Sequence, residues 1–341
     1  MSRAVEFLYL SMEDVIAAGG LDIGTVIEDE AKAYSMLDQG LAEDPVAPQI
    51  HFEGKQSGRI MAIHPSWLGG DVNVAGMKLG ARAPENPKKF NLPSICSLIE
   101  LINPDTGHPI AVMDGTFITA VRTGCTTGVG ARFLARPDSE VVGLLGAGVM
   151  ARPQIMAIGH VLKNIKDVKM FDVVEEKARR FAEEMAPVTG LPIRVVKSAE
   201  EAVRDSDVVA PTTLVAVENA YIRSEWIKKG AFLANISDND YTFDAVKKVD
   251  KIVIDGPKQF TIPVTLGEMK KRGLIDESKV YRIGAVINGK APARERDDEI
   301  IFFSALGMGI HDLIVAKRVY ENARQKGIGT TLKLWNEPKW V

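Results

Sequence analysis

Residues 141–151 read VVGLLGAGVMA: an apolar run of strand character, then Gly146, Gly148 and Ala151 in a GxGxxA spacing, then the start of a helical pattern. The first glycine permits a tight turn, the second lets backbone approach a pyrophosphate, and a small third residue lets helix and strand pack closely. The amides at the start of the following helix then face the phosphate charge. Glycines cluster at many tight turns, but here the turn opens an alternation. Short β-rich runs (VKMFDV, PIRVV, DVVAPTT, FLANIS, KIVIDG) are separated by helical stretches such as EEKARRFAEEM and AEEAVRD. Strands spaced by helices imply parallel crossovers, so this segment is expected to form an α/β fold, a Rossmann doubly wound parallel sheet. Asp172 closes the second strand 26 positions beyond Gly146, near the offset of about 20 at which an acid meets the ribose. That carboxylate favours a free 2′-hydroxyl over a 2′-phosphate, so NAD is the expected cofactor. Arg179 and Arg180 follow one to two turns later; they are assigned to an exposed helix face and keep NADP open.

At 341 residues the chain is long enough for two domains, taking about 150 residues for each. A net charge of −3 with 26% charged residues argues against disorder and against a nucleic-acid or membrane-surface partner. No uncharged apolar run approaches the roughly 18 residues of a membrane span, and no signal-peptide pattern opens the chain, so a cytoplasmic location is expected. The two cysteines, Cys96 and Cys125, and five scattered histidines offer neither a disulfide framework nor a metal-ligand spacing.

Upstream of the Rossmann segment, Ser11 and Asp14 form a capping-box pattern. Val26, Ile27, Tyr34 and Leu37 then recur at helical spacing, with Gly40 as a stop. Residues 47–113 change to short apolar or alternating runs broken by Gly, Pro and Asn, which predicts an antiparallel sheet with a hairpin connection at Asn103–Gly107. Ile118, Val121, Cys125, Val129 and Phe133 return to helical spacing and join the two parts, and a last helix near 310–326 lies beyond the α/β alternation. The expected division is therefore discontinuous: an α+β substrate-binding and dimerisation domain of residues 1–120 with 308–341, and a Rossmann domain of residues 121–307.

Two cations stand outside the Rossmann segment. If VNVAGMK is a strand, Lys78 shares an otherwise apolar face with Val72, Val74 and Gly76, where a lysine needs an anion or a cavity. Arg122 lies near the start of the joining helix. A start at Thr119 would make a cation there unfavourable unless matched by an anion, whereas a start at Thr116 removes that argument. Together the two would suit a small carboxylate, with arginine as a bidentate clamp.

Several stretches in fixed order carry a resemblance: Gly76-Met77-Lys78, Asn86-Pro87 with Leu92-Pro93-Ser94, Pro109 to Gly115, Thr119 to Thr123, the Gly146-Ala147-Gly148 turn, and Gly307 to Ile310 with Asp312. With these the chain resembles the ornithine cyclodeaminase/mu-crystallin family over most of its length. The N-terminal half is most similar in texture to the branch that includes N-(2-amino-2-carboxyethyl)-glutamate dehydrogenases. The resemblance implies a homodimer and hydride exchange between a nicotinamide and the α-carbon of an amino or imino acid. It further implies that Lys78 and Arg122 hold the substrate carboxylate, that Thr212 and Thr213 lie beside the nicotinamide half, and that Gly307 and Met308 lie near its ring. Val149 and Met150 complete the expected cofactor-binding set. Two departures stand out. The acidic residue that cyclodeaminases carry after the fifth Rossmann strand aligns with Asn239, flanked by Asp238 and Asp240, of which Asp238 is taken as the catalytic candidate. A P-x-R carboxylate contact appears as Pro48-Gln49-Ile50.

An NAD-dependent amino-acid dehydrogenase or imine reductase is thus the leading expectation. The alternatives are an ornithine cyclodeaminase, which uses NAD catalytically and releases ammonia, and a non-catalytic, crystallin-like binder.

Overall fold

The computed structural model describes residues 4–54, 57–236 and 239–340. The chain divides into two compact units, one of Met1–Asp22, Gln39–Arg122 and Met308–Val341, the other of Ile23–Asp38 and Thr123–Gly307.

The first unit is built on an eight-stranded sheet. Its order is Thr330–Trp335, Val5–Leu10, Pro109–Asp114, Ile95–Ile102, Val74–Arg82, Ile60–Leu68 and Ala42–Glu43, with Gln49–His51 also pairing to Ile60–Leu68. Every pairing is antiparallel except that of Val5–Leu10 with Pro109–Asp114. Alternation buries Val74, Gly76 and Lys78 on one face, so the lysine does share an apolar face, although Val72 lies just before the strand. Gly76 is there for close approach, since a Cβ would come within 2.1 Å of the Glu100 carbonyl oxygen. The helix Gly309–Lys326 packs on this face, where its Asp312 meets Lys78, and its Ile310, Leu313 and Val315 are fully buried. Its first residue must also be glycine, because a Cβ would lie 2.2 Å from Ser66 Oγ. On the opposite face Leu79 and Leu98 stand directly across from each other and are exposed. The short helix Met12–Val15 starts on the reciprocal box: Ser11 Oγ accepts from Asp14 N and Asp14 Oδ2 accepts from Ser11 N.

The joining helix runs from Thr116 to Leu134. The carboxylate of Asp114 accepts from the amides of Thr116 (3.1 Å) and Phe117 (2.8 Å), which fixes the start. Arg122 therefore sits nearly two turns inside the helix, and the dipole argument for an external anion lapses.

The second unit holds eight strands, all paired in parallel: Ile193–Val195, Asp167–Phe171, Val141–Leu145, Val208–Pro211, Phe232–Asn235, Ile301–Ser304, Lys251–Ile254 and Val280–Arg282. The order turns back on either side of Val141–Leu145, which makes the carboxyl end of that strand a topological switch point. The helix Ile23–Asp38 belongs with this unit, whereas the sequence reading placed residues 1–120 together. The cause is specific: Ser35 Oγ donates to Asn288 Oδ1 (2.6 Å), Asn288 Nδ2 donates to Asp38 Oδ2 (2.8 Å), and Ile27 packs on Gly128. No helix among the described residues is long and apolar enough to cross a membrane.

Candidate functional site

In the first unit Lys78, Arg122 and Asp312 form one buried ion cluster. Lys78 Nζ donates to Asp312 Oδ2 at 2.7 Å and Arg122 Nε to Asp312 Oδ1 at 3.0 Å, and Thr119 Oγ1 adds a longer bond to the same oxygen (3.3 Å). The two cations are 5% and 6% exposed and the carboxylate is sealed, so solvent does little to screen the cluster. The anion that Lys78 needs is thus supplied by the chain itself. Asp312 lies in the first turn of Gly309–Lys326, where the helix N-terminus also favours a negative charge. Burial raises the Asp312 carboxyl, but Arg122 and Lys78 outweigh it and hold the group well below the usual carboxylate range. Burial draws the Lys78 ammonium down to about 8, against the upward pull of Asp312. At neutral pH the cluster carries two positive charges and one negative, leaving a single positive charge in a dry setting. That is a match for one small carboxylate. Asp44 completes the local frame: its Oδ1 accepts from the amides of Gly309 (2.6 Å) and Ile310 (3.3 Å) and from Ser66 Oγ (3.1 Å). Sequence reasoning named Asp312 only within a motif. The signal it left unused was an acid at the fourth position of an otherwise apolar helix face.

In the second unit a cavity of about 710 Å³ opens at the switch point, lined by Gly146, Gly148, Val149, Asp172, Thr212 and Thr213 among others. Gly146 has φ +94°, and a Cβ on it would come within 3.0 Å of both threonine side chains. Gly148 is different, since a Cβ there would meet nothing within 4 Å and would project into open space. Open space at that glycine, on a cavity walled by a strand-end acid, is the cradle a pyrophosphate needs, so the residues fit a nicotinamide dinucleotide. Asp172 braces the turn: Oδ2 accepts from Ala147 N and Oδ1 from Val174 N, both at 2.8 Å. A carboxylate has about four acceptor sites, so capacity remains for a ribose hydroxyl. Arg152 donates through Nη1 to the Gly148 carbonyl (3.1 Å) and through Nε to Glu184 (2.8 Å), which places a guanidinium on the phosphate turn.

Thr212 Oγ1 donates to the Gly146 carbonyl (2.8 Å), and Thr213 Oγ1 donates to Asp240. Both threonines therefore wall the cavity through groups already bonded within the chain. Met150 caps the helix Ala151–Val161 and is not among the lining residues, nor is Met308, which is buried at the start of Gly309–Lys326 in the first unit. Arg179 faces outward, paired with Glu175 and Glu176, and Arg180 is exposed as expected while also lining the cavity together with Lys177. Position on the helix accounts for the difference, because an arginine one residue on from Arg179 sits about 100° further round.

Asp238 lies outside the described residues. The two residues that follow it serve as struts: Asn239 donates to the Val215 carbonyl (3.1 Å) and accepts from Thr265 N (3.0 Å), while fully buried Asp240 accepts from Tyr221 Oη (3.1 Å) and Thr213. Burial, first, and Asp240, second, push the Tyr221 hydroxyl far above its ordinary value, so it stays protonated.

These features define a dinucleotide-binding protein of Rossmann type with a second, α+β unit that carries a buried cation pair. The chain belongs to the ornithine cyclodeaminase/mu-crystallin family, whose model matches residues 14–327. It is 34% identical to alanine dehydrogenase of Archaeoglobus fulgidus over 338 residues, covering 97% of this chain and 99% of the relative. It is 30% identical to N-((2S)-2-amino-2-carboxyethyl)-L-glutamate dehydrogenase of Staphylococcus aureus over 336 residues, with the same coverage. Among solved structures, Thermococcus litoralis Δ1-pyrroline-2-carboxylate reductase in complex with NADH and L-proline superposes with a TM-score of 0.87 at 33% identity, covering 95% of this chain and 99% of that one. An archaeal alanine dehydrogenase dimer with bound NAD gives 0.88 at 32% identity, covering 97% and 100%.

Proposed function

We propose that the protein is an NAD-dependent oxidoreductase that acts on the C–N bond of an α-amino acid or its imine. The observation that carries this reading is the presence, in one family member, of an open dinucleotide cradle at Gly148 and a buried cation pair of single net charge. When bound, the nicotinamide supplies or takes up a hydride at the substrate α-carbon. Lys78 and Arg122 hold the carboxylate, and orientation of this kind can lower a barrier by several kcal/mol. Lys78, with its ammonium drawn down to about 8, can also give or take a proton near neutral pH. The cyclodeaminase reading is disfavoured by Asn239, an amide tied to Val215 and Thr265 where an acid would take up a side-chain amine.

Incubation with NAD and, separately, L-alanine, L-proline and L-ornithine, following NADH and ammonium together, tests the reading. Net NADH from at least one of them is expected, with ammonium alongside from alanine and without it from proline. Ammonium from ornithine with no net NADH would instead establish a cyclodeaminase, and no product from any of them would remove the enzymatic reading. We further propose a homodimer, favoured by the exposed Leu79–Leu98 face and by the dimeric alanine dehydrogenase relative; the same preparation should sediment at twice the chain mass. A reducing, cytoplasmic setting accords with Cys96 and Cys125 being unbridged.

The cofactor preference follows from the charges at the adenosine end. Asp172 opposes a 2′-phosphate, while Lys177 and Arg180 on the same cavity attract one. NADH is expected to bind at least about tenfold more tightly than NADPH, roughly 1.4 kcal/mol, and Arg180→Glu to widen the gap by weakening NADPH selectively. Fluorescence titration of both nucleotides measures this; equal affinities in the parent protein would contradict the assignment of Asp172.

A further inference from the structure

Lys78 is surrounded by charged and titratable groups from four elements of the first unit. Asp312 approaches from Gly309–Lys326 at 2.7 Å, and Arg122, from Thr116–Leu134, shares its carboxylate. Asp44 acts from the segment ahead of Gln49–His51, with Oδ1 engaged by the amides of Gly309 and Ile310. His64 sits directly across the strand pair on Ile60–Leu68. Among the described residues Asp312 is the one fully buried carboxylate that bonds both cations. Its charge cancels one of theirs, so the three groups carry a net positive charge while Lys78 is protonated and none once it is not. A buried positive charge retains a single carboxylate, and a neutral cluster does not repay the desolvation of one.

We propose that Asp312 is a positioning residue that makes substrate binding proton-gated: it binds Lys78 and Arg122 into one unit, which holds the substrate carboxylate only while Lys78 carries its proton. The proposal rests on the reading that these two cations anchor the carboxylate. Burial and the neighbouring Arg122 both draw the Lys78 ammonium down, and Asp312 pulls hardest in the other direction. Without the Asp312 charge, the proton would leave Lys78 at a lower pH.

The probe is pyruvate, whose carboxylate stays ionised throughout, titrated calorimetrically into the NAD-loaded protein from about pH 6.5 to about 9.5, a range that brackets the value of about 8 to which burial draws Lys78. In the parent protein the pyruvate Kd is expected to be flat at the lower end and to weaken by up to about tenfold per pH unit above about 8, while the NADH Kd stays flat. In Asp312→Asn the onset should move at least about one unit lower, with NADH binding retained, and in Asp312→Glu it should return toward the parent value. A pyruvate Kd flat across the whole range in the parent overturns the proposal without recourse to any variant, so a poorly folding Asp312→Asn does not shield it. An unshifted onset in a folded Asp312→Asn also overturns it. If pyruvate fails to bind at any pH while amino-acid turnover persists, the carboxylate-anchor reading is what falls. If turnover is absent as well, the oxidoreductase reading falls with it.

Discussion

Replacing Lys78 with methionine is expected to lower kcat/KM for the amino- or imino-acid substrate by about 10- to 100-fold, the equivalent of one lost charge-assisted hydrogen bond at roughly 1.5–3 kcal/mol. Methionine is close to lysine in length and keeps the apolar contacts of the stem, so the change isolates the ammonium. Asp312 keeps its 3.0 Å bond to Arg122 in that variant, so the buried carboxylate is not abandoned. Arg122→Leu is expected to cost at least as much, because a guanidinium can present two parallel donors to a carboxylate. Changing both residues together is the wrong experiment. It would strand Asp312 in the interior without a counter-ion, and breaking a buried pair in that way costs about 3–5 kcal/mol of stability. For either single variant the NADH Kd should remain within about twofold of the parent, since the loss lies in substrate anchoring. Turnover intact in both would remove Lys78 and Arg122 from the site.

Gly148→Val is expected to weaken NADH binding by at least about 100-fold, close to 3 kcal/mol, while leaving the thermal stability of the cofactor-free protein nearly unchanged. The argument lies in the contrast with Gly146. A Cβ at 148 enters open space and disturbs nothing in the chain, but it occupies the volume through which a pyrophosphate must pass. A Cβ at 146 meets Thr212 and Thr213 at 3.0 Å and forces a branched residue to φ +94°, so Gly146→Val should lower stability before any cofactor is added. Thermal denaturation with and without NADH separates the two. Equal stability losses in both variants, or undiminished NADH binding in Gly148→Val, would show that the turn does not cradle the dinucleotide.

The parallel sheet was legible because each of its early strands is a short apolar run bounded by helical periodicity, and because the turn after Val141–Leu145 has chemistry of its own. Ile301–Ser304 was not, although it lies between Phe232–Asn235 and Lys251–Ile254. Residues 288–300 ahead of it form neither helix nor strand, so no helical period announces it, and the strand enters the middle of a sheet whose neighbours come much earlier in the sequence. Thr330–Trp335 escaped for the opposite reason: all six residues are exposed, so no burial pattern marks them, and pairing with Val5–Leu10 supplies their order. The start of the joining helix depended on Asp114, a residue outside the periodic stretch. At the site, the cations were visible as misplaced charges, but their partner was not. Asp312 is separated from Arg122 by 190 positions and from Lys78 by 234, and nothing local to either cation points to it.

That separation has a consequence for how the protein is made. A ribosome releases Lys78 and Arg122 long before it reaches Asp312, so through most of synthesis the growing chain holds two cations destined for the interior with no counter-ion to accompany them. The strands that will carry and flank Lys78 cannot be sealed until Gly309–Lys326 arrives to cover them, and the sheet is not completed until Thr330–Trp335 emerges. Non-local closure of this kind is slow. The nascent protein therefore spends its longest wait with an apolar sheet face uncovered and two charges unmatched, and a single late helix ends both conditions at once.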